Sequence, residues 1–398
     1  MRFAFQFVAG LAFVSASIAP ASEPAELLAR LHSSSQAAHS DALYIEQGGQ
    51  SLFTDGNNEG PIDLMSATKG VVALAIVKAV DEGAIAGFDE PIYRWFPEWK
   101  QGQKKAITLR MLLAHTSGLQ NVANAGIEVE SAPDVVQLAL SAELESPPGQ
   151  VYSYNNKATN LLGGIIERAT GMKLDAYVAD RIFRPLGIVR WEWRTDKVGN
   201  PTAMAGLSLS ARDAAKIGRL VLNRGQWSGQ SIIRNELIDI MVGPSSDLAP
   251  NTGFMWHRTP SWTRYTISER TVTRFRDMGL SQDVIEAVLP LKDQTFDDRD
   301  SLMSELRERL GPTHGASWGQ AMNRSGATPE TLFDTESGPV VAFSARGYLG
   351  QYIIVVPHAD LVVVRQYRWR QDAPPADNFP TITQDVLDLG AALTRNRM

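Results

Sequence analysis

The sequence predicts a mixed α/β (α+β) protein in which one sheet is assembled from both chain ends and a helical region is inserted between them. Three observations predict it. Short β-patterned runs occur near the start (residues 42–53) and again near the end (residues 340–367) of the 398-residue chain. The middle carries segments with helical apolar spacing. A charge-dense stretch then separates those helices from the last strands.

Taken in order, residues 1–21 (MRFAFQFVAGLAFVSASIAPA) place Arg2 before a short apolar run and end on Ala19-Pro20-Ala21, a small-residue cleavage signature. That is the layout of a secretory signal peptide, so the chain is expected to be exported to the periplasm or medium. The run is short for a bilayer span and holds Gly10 and several serines, and no other segment reads as membrane-spanning. A helix is expected over 24–34. Gly48-Gly49 between two β-rich runs predicts a hairpin. Val71, Val72, Leu74, Ala75, Val77 and Val80 set a helical pattern over 66–82 that Gly83 stops. Further helices are expected over 135–143, 160–169 and 210–223. Residues 255–339 read as an insertion, helical where charged and then a Gly/Ser/Thr-rich loop. Strands over 340–343, 348–356 and 361–367 and a closing helix over 381–393 complete the chain. One domain is expected over 22–398, with a helical subdomain at about 64–250 and the insertion at about 255–339; the insertion is expected to cover part of the active-site mouth.

Composition narrows the chemistry. With no cysteine, thiol nucleophiles, disulfides and thiolate metal sites are excluded. A formal net charge of −6 argues against a general nucleic-acid binder. The six histidines show no H-x-x-x-H or H-E-x-x-H spacing, so no metal site is expected.

Ser66-Ala67-Thr68-Lys69 stands where a polar segment enters an apolar helix. Residues three apart share a helical face, so the amine can reach the hydroxyl. Free N–H groups at a helix start favour developing negative charge. Packing among apolar residues would lower the lysine pKa and leave a base near neutrality. An N-cap serine is the rival reading. Tyr154-Asn155-Asn156 follows the Pro147-Pro148-Gly149 turn signal. A phenol beside an amine can pass a proton, and an amide can orient both lysine and substrate; a packed aromatic with a capping asparagine is the alternative.

Residues 107–119 (ITLRMLLAHTSGL), with Pro148 to Asn156 (PGQVYSYNN), Leu161 to Glu167 (LLGGIIE), Gly206 to Gly218 (GLSLSARDAAKIG) and Phe343 to Gln351 (FSARGYLGQ), resemble the motifs of β-lactamase-related serine hydrolases. That family includes class C β-lactamases, some D-alanyl-D-alanine carboxypeptidases, esterases and 6-aminohexanoate-oligomer hydrolases. The resemblance implies a β-lactamase/transpeptidase-like fold, an antiparallel sheet from both chain ends flanked by helices plus an all-helical subdomain. It implies that Ser66 is the nucleophile of an acyl-enzyme, that Lys69 and Tyr154 share the base and acid work, and that Asn156 orients Lys69 and substrate. It implies an oxyanion hole made by the backbone N–H groups of Ser66 and Tyr348, after Gly347, and no cofactor. His115 and Ser117 look catalytic by type but lie in a segment that is structural in the family.

The third motif departs from the family's Lys-Thr-Gly or His-x-Gly: it reads Ala345-Arg346-Gly347. Arg346 is the candidate partner for a substrate carboxylate. This version is closer to the esterase and 6-aminohexanoate-oligomer hydrolase branch, so hydrolysis of a small-molecule ester or amide is expected. A β-lactamase or D-alanyl-D-alanine carboxypeptidase is the alternative, and a non-catalytic penicillin-binding-like sensor a further one. Gly315-Ala-Ser317-Trp-Gly319, with Asp334 and His358 behind it, satisfies a nucleophile-elbow pattern. It lacks the strand that such an elbow must follow and is set aside.

Overall fold

The computed structural model describes residues 23–121, 125–325, 327–371 and 379–395. The expected export signal lies outside the described residues.

The described residues open with helix α1 (Glu23–Ala37) and the hairpin β1 (Ala42–Gln47) and β2 (Gln50–Gly56). A single 3₁₀ turn (Met65–Ala67) leads into α2 (Thr68–Asp81); α3 (Leu161–Thr170) and α4 (Ala211–Leu222) follow in the helical region. The return runs through β3 (His257–Pro260), β4 (Thr263–Thr266), the long helix α5 (Arg299–Ser325), β5 (Asp334–Ser337), β6 (Val340–Gly347), β7 (Gln351–Val356), β8 (Leu361–Gln366) and α6 (Ile382–Arg395). The main sheet is antiparallel with order β2-β1-β8-β7-β6-β3, so the first hairpin and the last three strands do form one sheet.

Strand periodicity explains the unbroken apolar runs at 353–356 and 361–364 in the late strands. Leu43, Ile45, Ile354, Val356, Leu361 and Val363 face one way and pack with Leu31 of α1 and Ile382, Val386 and Leu389 of α6. Their neighbours Ala42, Tyr44, Ile353, Val355, Val362 and Val364 face the opposite way, into the core shared with α2 and α4. Helix α2 lies between the sheet and the helical region, and residues 68–77 and Ala79 are all buried. A helix with no wet face needs apolar residues all round, which is what its sequence supplies.

Two secondary-structure expectations are corrected. The sequence pattern starts a strand at Tyr348, but residues Tyr348–Gly350 form a 3₁₀ turn with Leu349 in the left-handed region (φ 67°), and pairing resumes at Gln351. The Gly/Ser composition after residue 311 reads as a loop, yet α5 continues to Ser325 beyond a kink at Gly311. Trp318 and Ala321 are buried there against Phe275 and Phe333, so tertiary packing overrides the local signal.

The insertion has its own core, from Tyr265 to Phe333, apart from the two cores on the main sheet. It begins later than residue 255: Met255 and Trp256 belong to the main core, and β3 is an edge strand of the main sheet. β4 pairs with β5 as β3 pairs with β6, so a two-stranded ribbon carries the insertion away from the sheet edge. Among the described residues no helix is long and apolar enough to cross a membrane.

Candidate active site

Ser66 lies on the 3₁₀ turn at the mouth of α2, and Met65 just before it is in the left-handed region (φ 49°). That conformation costs a non-glycine residue about 1–3 kcal/mol. The Met65 N–H donates to Asp63 Oδ1 at 2.7 Å and so helps hold it. One helical turn on, Lys69 Nζ donates to Ser66 Oγ at 2.9 Å and to the Met204 carbonyl at 2.7 Å. Lys69 is only 2 % exposed, and burial holds its amine well below the ordinary lysine range. Asn160 Oδ1 accepts the N–H groups of Ala203 and Met204 (2.8 and 3.2 Å), which fixes the carbonyl that receives Lys69.

Tyr154 completes the group. Its ring lies 4.8 Å from Lys69 Nζ. Burial pushes its phenol up to about 12, an effect that the neighbouring Ser66 hydroxyl partly offsets. The loop carrying Tyr154 is pinned by His115, whose Nδ1 accepts the Asn155 N–H (3.2 Å) and whose carbonyl accepts the Ser153 N–H (2.8 Å). The His115 ring packs 4.7 Å from Tyr154. Burial pulls His115 down to about 3, so it stays neutral. Asn155 caps the following helical turn through the Ala158 N–H (2.8 Å). Asn156 makes no hydrogen bond to Lys69; its Oδ1 is buried without a partner among the described residues.

The third motif meets the serine directly. A Cβ on Gly347 would fall 2.3 Å from the Leu64 carbonyl oxygen and 3.1 Å from the Ala67 nitrogen. Only glycine allows β6 to approach the nucleophile turn so closely. Gly70, on α2, faces Ala345 in the same way (2.9 Å), and Trp256 Nε1 donates to its carbonyl (3.2 Å). Neither the Ser66 nor the Tyr348 backbone N–H is engaged by a loop or side-chain acceptor among the described residues. Tyr348 is 69 % exposed.

Arg346 donates from Nε to Ser344 Oγ (2.8 Å) and from Nη2 to Thr259 Oγ1 (3.4 Å). No carboxylate pairs with it among the described residues, and it lines the Ser66 pocket with Tyr152, Thr252 and His257. Sequence reasoning missed those last three and the Met204 carbonyl. His257 is delivered by β3, opposite Ser344 in the register, and burial also pulls it down to about 3.

The sequence-predicted residues Ser66, Lys69, Tyr154 and Gly347 therefore meet at one point, with Arg346 on the wall. Ser317 does not: it is exposed within α5, a helix interior rather than an elbow, and Asp334 is committed to Arg270 and Ser268. Among the described residues no cluster of three metal-ligating side chains occurs.

The family model described as Beta-lactamase matches residues 28–381. Esterase EstB of Burkholderia gladioli is 35% identical over 144 residues, 31% of this chain and 36% of that protein. The match thus spans about a third of the length of this curated relative. The putative 6-aminohexanoate-dimer hydrolase from Bacillus anthracis superposes with a TM-score of 0.59 at 19% identity, covering 89% of this chain and 80% of that one. A putative beta-lactamase from Bacteroides dorei superposes with a TM-score of 0.56 at 17% identity, covering 92% and 98%. At such identities the two structures speak for the fold alone.

Proposed function

Because the chain belongs to the β-lactamase family, we propose that it is a serine hydrolase that cleaves an ester or amide bond of a small-molecule substrate through an acyl-Ser66 intermediate. The observation that carries this reading is the buried Lys69 amine 2.9 Å from Ser66 Oγ.

Desolvation favours the neutral amine, so Lys69 takes the Ser66 proton as Oγ attacks the carbonyl carbon. Tyr154, whose phenol keeps its proton to about pH 12, supplies a proton to the departing alcohol or amine and recovers one from Lys69. The C–O or C–N bond breaks, and the acyl group stays on Ser66. Water then adds to the acyl carbon and gives up a proton to the same pair; the acid leaves and Ser66 Oγ is reprotonated. The N–H groups of Ser66 and Tyr348 are the donors for the oxyanion in both steps. Asn156 orients the substrate carbonyl through its side-chain amide N–H.

The position of Arg346 on the lining of the Ser66 pocket supports its reading as the partner of an anionic substrate group. The local match to an esterase supports ester over β-lactam substrates. The test is a turnover panel of p-nitrophenyl esters, a chromogenic cephalosporin, D-alanyl-D-alanine and linear amide dimers, with Ser66→Ala as control. Serine-dependent ester or linear amide turnover is expected. Turnover confined to the cephalosporin or to D-alanyl-D-alanine would move the assignment to the alternative branches.

A further inference from the structure

The space directly beside Ser66 is narrow. It measures about 20 Å³, roughly room for one water molecule. Against it lies a cavity of about 930 Å³ bounded by the inserted subdomain, the β3 edge of the sheet and the start of α6, at the upper end of the volumes usual for ligand sites, about 300–1,000 Å³. Tyr152, Thr252, His257 and Arg346 line both spaces and form their common wall.

The large cavity is walled on its far side by Trp262, Tyr265, Met303, Trp318 and Met322, all from the insertion. Its acidic groups are already committed. Asp297 pairs with Arg264 (3.0 Å), Asp298 accepts the Ser301 N–H (2.7 Å), and Glu330 accepts the Tyr265 hydroxyl (3.0 Å). Arg258 donates to the Pro250 carbonyl, and Arg299 is exposed. The cavity also carries Arg346, Arg299 and hydroxyls such as those of Thr259 and Ser261; its apolar surface comes from Trp262, 41 % exposed, and half-buried Met303, and methionine adapts to varied apolar shapes.

We infer that this cavity is the specificity chamber, and that the substrate is an ester or amide whose larger arm is a bulky apolar or aromatic group housed against the insertion. The inference rests on the acyl-Ser66 reading. The scissile bond then sits at Ser66 and the arm extends past the four shared residues, and a substrate without such an arm leaves the chamber unused.

Two ester series test it, one lengthened on the acyl side and one on the alcohol side, each from two to about ten carbons, with kcat/KM measured throughout. In one of the two series kcat/KM should rise about two- to fourfold per added methylene before levelling off. Trp262→Ala, at an exposed position, and Met303→Glu should each lower kcat/KM about tenfold or more on the longest members of that series and leave the shortest within about twofold. Fluorophosphonate labelling of Ser66 in every variant reports that the catalytic machinery is intact. A labelled enzyme with flat profiles in both series, or a length preference that both variants keep, overturns the chamber alone. Absence of labelling in the wild type overturns the acyl-serine reading and the chamber with it.

Discussion

Replacing Gly347 by alanine isolates the contact on which the site is built. The backbone at Gly347 is extended (φ −132°, ψ 158°), a conformation that alanine adopts freely, so any effect is steric. The new methyl would stand 2.3 Å from the Leu64 carbonyl oxygen, where a carbon–oxygen contact settles at about 3.3–3.6 Å. Strand β6 and the nucleophile turn must therefore part by about 1 Å. The Leu64 carbonyl accepts the Ala67 N–H at 3.0 Å, so the displacement passes into the turn that carries Ser66, while Tyr348 moves with the strand. A misplacement of about 1 Å costs on the order of 100-fold in rate, or about 2.7 kcal/mol of transition-state stabilisation. Overpacking should also lower stability by about 1–3 kcal/mol. The assay is kcat/KM on a p-nitrophenyl ester beside thermal unfolding. Gly315→Ala is the control: a Cβ there meets nothing within 4 Å, and in a helix it should be neutral or slightly stabilising. Gly347→Ala activity within about threefold of wild type would refute the claim that this close approach sets the catalytic geometry.

Three further outcomes are expected. The pH profile of kcat/KM should lose activity only on the acid side, as Lys69 gains a proton below its depressed pKa, and hold level through the alkaline range until Tyr154 ionises near 12; a loss of activity on the alkaline side well short of that would contradict the pairing of Lys69 as base with a protonated Tyr154. His115 and His257 stay neutral in the fold down to about pH 3 and bind protons at about 6.5 when unfolded, so stability is full above 6.5 and falls as pH drops toward 3. At pH 5 each should have lost about 2 kcal/mol, since a pKa unit is worth about 1.4 kcal/mol; denaturant titrations should show His115→Gln losing less than wild type between pH 7 and 5, and equal losses would count against it. Lys69→Ala should reduce ester turnover by several orders of magnitude, on the order of other catalytic-unit deletions, whereas Ser317→Ala should leave kcat/KM unchanged; a deficit in Ser317→Ala would revive the elbow in α5.

Much of this was legible in the residues, for identifiable reasons. Ser66 and Lys69 are three apart on one helix, and the apolar run behind them names its own secondary structure. The paired chain ends announce themselves because both faces of the late strands are buried, which leaves uninterrupted valine and isoleucine. The Met204 carbonyl that holds Lys69 was not legible: a backbone oxygen 135 residues away carries no side-chain signature. Nor was His257, whose place depends on β3 pairing with β6 across the whole insertion. Gly315 to Ser325 misleads because its glycines and serines suggest a loop, while Trp318 makes it one wall of a separate core. The turn at Tyr348 to Gly350 hides in a β-rich sequence because a left-handed leucine precedes the left-handed Gly350 in the bend, where leucine gives no turn signal.

The central claim is that Ser66 becomes acylated. Intact-protein mass spectrometry after brief exposure to a p-nitrophenyl ester or a fluorophosphonate, followed by peptide mapping, tests it most directly. The account predicts one adduct per chain, located on Ser66 and absent from Ser66→Ala. An adduct on another residue, an adduct that persists in Ser66→Ala, or ester turnover by Ser66→Ala within about tenfold of wild type would contradict it.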